Sequence, residues 1–177
     1  DQGIDSIAGR ISLDLSLKDD KPLGWGWCWD DDWGPLSALM VDGKDSFAEE
    51  LLADLRTMGI GVQNDTILYN NVPKETRTLR TVTHTIDQLL DRMMKQSDNI
   101  YAESLFHHIA ASGGKRGVGR KQAVPHVNQL IKSLGLTPAD YQIADGSGLS
   151  LYNYLTPHLL VRLLAYAWDT PSTRQRL

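Results

Sequence analysis

From residue 7 to residue 17 the sequence IAGRISLDLSL alternates strictly. Ile7, Gly9, Ile11, Leu13, Leu15 and Leu17 fall on one side and mostly polar residues on the other, which is the pattern of a half-buried strand. It begins almost at the first residue, with no cap or turn before it, so the chain reads as cut from something longer. The runs LSALMV (36–41), TILY (66–69) and TLRTVTH (78–84) read as further short strands.

Five segments instead carry the helical period. The first runs from Phe47 through Leu51 and Leu55 to Met58, with a capping box expected from Ser46 to Glu49 and Gly59 as its stop. The second places Ile86, Leu89, Leu90, Met93 and Met94 on one face behind the cap Thr85, with Gln88 three residues on. The third spans about 99–111, and the fourth carries Val127, Leu130, Ile131 and Leu134 before Gly135. The fifth opens on Thr156 with Pro157 at the first helical position and is expected to bury Leu159, Leu160, Leu163, Leu164 and Trp168. A strand, a loop, a helix, two strands and then a helical block make a mixed α/β (α+β) class that is α-rich.

A chain of 177 residues holds one domain, or one and a fragment of another. It is 41% hydrophobic and 23% charged, with a net charge of −4, which argues against nucleic acid as a partner recruited by charge. No apolar run reaches the roughly 20 residues of a membrane span, and the first residues lack the pattern of a signal peptide. A single cysteine, Cys28, leaves no internal disulfide and, without a second Cys or a nearby His, no zinc site.

Three stretches invite chemistry. GWGWCWDDDWG (24–34) sets Trp25, Trp27, Trp29 and Trp33 beside Asp30, Asp31 and Asp32. It reads either as a platform for sugar rings or as large rings that anchor a loop onto the core. The acidic run lacks the glycine spacing of a calcium loop. Ser97, Asp98 and Asn99 fall between the second and third helices, either as caps or as part of a site. Gly146 and Gly148 bracket Ser147 in IADGSGLSLYNYLTP (143–157), 49 residues from Ser97 to Gly146. Adjacent His107 and His108 lack the spacing of two metal ligands on one helix face, and a glycosidase pair such as Asp31 with Glu49 rests on carboxylate abundance alone.

MMKQSDN followed by a helix, and ADGSGLS followed by an Asn and then a Pro, resemble the class C low-molecular-mass penicillin-binding proteins. These are the penicillin-binding protein 4 type D-alanyl-D-alanine carboxypeptidases and endopeptidases. The similarity extends more weakly to LADLRTMGI and PLGWGWCWDDD and spans most of the chain. It implies a partial beta-lactamase/transpeptidase-like fold. Residues 1–44 would form the edge of an accessory inserted region, and residues 45–177 the helical part of the transpeptidase-like domain.

That family uses Ser-x-x-Lys with the nucleophile, Ser-x-Asn, and Lys-Thr-Gly. The resemblance casts Ser97 in the proton relay to the leaving amine and Asn99 as a hydrogen-bonding partner of substrate and lysine, with Gly146, Ser147 and Gly148 at the substrate. No metal or other cofactor is implied. The implied partners are peptidoglycan stem peptides and, for the intact parent, beta-lactam antibiotics, in a periplasmic or extracytoplasmic setting.

The other two motifs are matched only by letters. Ser112 to Lys115 and Lys115 to Gly117 share one lysine in the Gly-rich, basic stretch AASGGKRGVGR, which reads as a solvated linker. The segment alone is therefore expected to be inactive. The two polar turns, at 97–99 and 146–150, are expected to face a common cleft.

Overall fold

The computed structural model describes residues 3–30, 35–73 and 75–176. The mixed, helix-rich class holds. In chain order the elements are β1 (Ser6–Ile7), β2 (Ile11–Leu13), α1 (Phe47–Thr57), β3 (Gly61–Val62), β4 (Ile67–Tyr69), α2 (Ile86–Lys95) and α3 (Asn99–Ala110). Then come α4 (Arg120–Ser133), a 3-10 turn (Pro138–Asp140), β5 (Tyr141–Gln142), β6 (Tyr154–Leu155), α5 (Pro157–Asp169) and α6 (Pro171–Arg174).

The alternating stretch at 7–17 is not one strand. Its partners change along its length, so it breaks into pieces. β1 pairs in parallel with β3, β2 pairs in parallel with β4, and Lys18 bridges to Val118. TILY supplies β4 as expected, whereas 36–41 holds no strand, only an isolated bridge from Val41 to Lys44, and 78–84 is exposed, unpaired chain. Both parallel pairs join residues on opposite sides of the boundary expected at 44.

All five expected helices are present, with differences at their ends and faces. Thr85 and Gln88 close the capping box of α2. Ser46 does not do so for α1: its hydroxyl bonds Glu50, not a backbone N–H, and the helix stops where Gly59 takes a left-handed φ of 76°. α4 begins well before its apolar period, because Pro125 lies inside it and masks the first turns. Its N-cap, Gly119, leaves room for the Asp19 carboxylate, whose Oδ2 comes within 2.2 Å of where a Cβ would stand.

Two buried clusters meet at Val127 and Ile143. One joins Ile131, Leu134, Leu136, Tyr141 and Leu159; the other joins Phe106, Ala110, Val118 and Ala123. Val118 corrects the linker reading of 110–120: residues 112–117 are exposed, but the last part of that loop enters the core and bonds to the backbone at Leu17 and Asp19. α5 departs further from expectation. Leu159 is buried, yet Leu160, Leu163, Leu164 and Trp168 are exposed.

Candidate active site

The α2–α3 turn divides its three polar residues by role. Asp98 is the cap. Its Oδ1 accepts the N–H groups of Ile100 and Tyr101 at 3.1 and 3.2 Å, and its Oδ2 accepts Arg92 Nε at 2.9 Å. Ser97 precedes it with φ at 53°, a left-handed conformation that a non-glycine residue adopts only when its surroundings impose it. The turn is tightened by the Asp98 N–H bonding Met93 O at 3.1 Å. Among the described residues, the side chains of Ser97 and Asn99 have no hydrogen-bond partner, so neither serves as a cap.

Ser97 opens on a cavity of about 810 Å³, shared with Asp42, Lys44, Arg92, Tyr101 and His107. A second cavity, of about 330 Å³, takes Lys18, Trp25, Arg120 and Asp145. Glu103 lines both, whereas Asn99 and residues 146–148 line neither.

The turn at 145–150 is built around Asp145. Its carboxylate accepts Trp27 Nε1 at 2.8 Å, Gly148 N–H at 2.8 Å, Ser150 N–H at 2.6 Å and Asn153 Nδ2 at 2.6 Å. The turn needs glycine at two places: Gly148 has φ at 85°, and a Cβ on Gly146 would lie 2.7 Å from both Ala102 O and Phe106 Cβ.

That contact seats the second turn on α3. Glu103 fastens it, with Oε1 accepting the N–H groups of Gly146 and Ser147 at 2.9 and 2.8 Å. Asn99 sits on the same helix one turn earlier, roughly 6 Å along its axis. The two turns are thus linked through α3, but the common cleft expected for them is not formed, since among the described residues Ser97 and residues 146–148 line no cavity together. Burial raises the Glu103 carboxyl above the ordinary range and nearby Asp145 adds to the rise, against the opposing effect of the Ser147 and Gly146 hydrogen bonds.

Glu103 and Asp145 were missed in the sequence, though each left a signal. Glu103 interrupts the stripe that continues through Phe106 and Ala110, and Asp145 stands ahead of a Gly-Ser-Gly turn, where Asp side chains bond backbone beyond them.

The other candidates fall away locally. His107 and His108 each direct Nδ1 to the carbonyl one turn back, at 2.8 Å. Ser112 and Lys115 lie in an exposed loop, not on a helix face. Trp27 is buried, and Trp25 packs against the tilted ring of Tyr152, with centroids 4.6 Å apart, and has the Arg120 guanidinium 4.1 Å from its own centroid. Trp25 is still 47% exposed and Trp29 is open at 90%; Trp33, and Asp31 of the glycosidase pair, lie outside the described residues.

The profile of the D-Ala-D-Ala carboxypeptidase 3 (S13) family matches residues 33–177, most of the chain. The chain belongs to that family. It is similar to the D-alanyl-D-alanine carboxypeptidase DacB of Haemophilus influenzae, with 29% identity over 162 residues that cover 90% of this chain and 34% of that protein. A D-alanyl-D-alanine carboxypeptidase of an Actinomadura species is 31% identical over 146 residues, 79% of this chain and 27% of that protein. This S13 chain therefore spans about a third of the length of the curated relatives it matches.

Penicillin binding protein 4 (dacB) from H. influenzae has the same fold, with a TM-score of 0.76 and 21% identity over 95% of this chain and 56% of that one. A crystal structure of that protein complexed with a novel beta-lactam aligns with a TM-score of 0.62 and 27% identity, over 80% of this chain and 33% of that one. No helix among the described residues of this S13 segment is long and apolar enough to cross a membrane.

Proposed function

We propose that the intact protein carrying this segment is a serine-type D-alanyl-D-alanine carboxypeptidase or endopeptidase that acts on peptidoglycan stem peptides outside the cytoplasm through an acyl-serine. Ser97 and Asn99 are its middle motif. The nucleophile with its lysine, and the third motif, lie outside these 177 residues. On this reading residues 45–177 are the helical part of the transpeptidase-like domain and residues 1–44 the edge of an accessory region, paired to it through β1 and β2.

The observation that carries the proposal is the division of labour at 97–99. Asp98 does all the capping, so the strained Ser97 and the first residue of α3 keep a hydroxyl and an amide available to a ligand. Acyl transfer to a serine needs a proton path from nucleophile to leaving amine, and a neutral hydroxyl can relay it without adding charge. Family membership supports the reaction class, and the beta-lactam complex of a relative supports beta-lactams as ligands of the parent. A glycan platform has less support, because Trp27 is buried and Trp25 already packs against Tyr152 and the Arg120 guanidinium.

The test is the rate of acylation of the complete protein by benzylpenicillin. Ser97→Ala and Asn99→Ala are expected to lower it by roughly 10² while the fold survives. Parental rates in both would reduce the two residues to turn formers. The 177-residue segment by itself is expected to show no mass increase after incubation with the drug, and a stable adduct would refute an external nucleophile.

A further inference from the structure

Glu103 is 2% exposed, on the face of α3 that also carries Phe106 and Ala110. Packing alone would favour an apolar residue there, because a buried carboxylate is costly unless hydrogen bonds offset its lost hydration. What the glutamate adds is directional. One oxygen receives two consecutive backbone N–H groups, from Gly146 and Ser147, which fixes both the place and the orientation of that turn on the helix. The missing Cβ of Gly146 lets the turn come close enough for this, against Ala102 O and Phe106 Cβ. From the other side Asp145 holds Gly148 and Ser150 and ties them to Trp27.

Asn99 begins the same helix, so only a rigid helical turn and two short hydrogen bonds separate it from the backbone of residues 146 and 147. We propose that Glu103 is a positioning residue of the active site, holding the 146–148 turn at one fixed separation from the start of α3 and so fixing the frame around the cavity that Ser97 opens on. The inference rests on the function proposed above for Ser97 and Asn99. It assigns Glu103 no contact with the ligand and no proton transfer.

The experiment uses the complete protein and measures the second-order rate of acylation by benzylpenicillin, with folding followed by circular dichroism and rates taken well below each variant's Tm. Glu103→Ala leaves two amides without an acceptor and frees the turn, and misplacement by about 1 Å can cost about 10²-fold. A loss of roughly 10- to 100-fold is expected. Glu103→Gln keeps an oxygen that can accept both amides and is expected to stay within about 3-fold of the parent. Glu103→Asp retains the charge but is one methylene shorter, so it draws the turn out of place; about a 10-fold loss is expected, and this variant serves if the alanine does not fold.

Leu134→Ala, in the other buried cluster, controls for destabilisation and is expected to keep the parental rate. A parental rate in folded Glu103→Ala or Glu103→Asp, or a Glu103→Gln variant as slow as Glu103→Ala, would overturn the assignment. Failure of the underlying reading shows instead in Ser97→Ala.

Discussion

The two ends of the helical block treat their apolar and polar groups in opposite ways. Around α3 the second turn is seated in the chain's own core: Phe106 and Ala110 are buried, and Glu103 and Asp145 take up the backbone N–H groups of the turn that packs on them. α5 carries two adjacent apolar rows. Leu159 and Ala167 are buried, whereas Leu160, Leu164 and Trp168, each four residues apart, point out with Leu164 at 59% and Trp168 at 61% exposure. Both segments read as helix in sequence. What separates them is whether the chain supplies a neighbour, and burial stabilises only where it does.

Truncating one side chain in each region should expose this difference most strongly. Phe106→Ala removes a ring from the closed end and is expected to cost about 3–5 kcal/mol in denaturant unfolding. Leu164→Ala, on the open row, is expected to stay within about 0.5 kcal/mol, as surface substitutions do. Comparable losses in the two variants would mean that the outer row of α5 is packed after all.

A smaller effect should follow from adding a single methyl. Gly146→Ala presses on the Ala102 carbonyl and Phe106 Cβ, and neither a helix backbone nor a packed ring can yield freely, so about 1–3 kcal/mol is expected. Gly9→Ala meets nothing within 4 Å and has no left-handed φ, so it is expected to be neutral or slightly stabilising. If Gly146→Ala proved neutral, the turn would not be seated on α3 as described.

These contrasts also show what the sequence carried and why the rest was hidden. Helix existence was legible because caps and period are local: Thr85 with Gln88, and Thr156 with Pro157, act within a few residues of themselves. The 97–99 turn and the Gly-Ser-Gly turn were legible as polar punctuation between helices. Strand partners were not, since β1 and β2 pair with β3 and β4 more than 50 residues away and alternation does not name a partner. Nor was it legible that Asp98, rather than Ser97 or Asn99, caps α3, because all three residue types cap well. Glu103 lay on an otherwise apolar face, but its partners are backbone amides 43 and 44 residues on, and no side-chain pattern marks a backbone amide as a partner.

The smallest and most specific test concerns that carboxylate. Its ordinary value is 4.5, and in the folded chain it is raised, first by burial and then by Asp145. Between the two values the folded state keeps a proton that the unfolded chain has released, so stability falls as pH rises through that window. Glu103→Gln cannot titrate and lacks this contribution. The stability of the parent minus that of Glu103→Gln, followed by denaturant titration from about pH 4 to pH 8, should therefore become steadily less favourable above pH 4.5 and then level off. Taking the difference removes carboxylates that shift the other way, such as Asp140, whose carboxyl is lowered by its bonds to Thr137 and is present in both proteins. The corresponding difference for Leu164→Ala, which alters no acid, should be flat. If the Glu103 difference were equally flat, or rose with pH, the carboxylate would not be desolvated, and the closed end of the block would be as open to water as the outer row of α5.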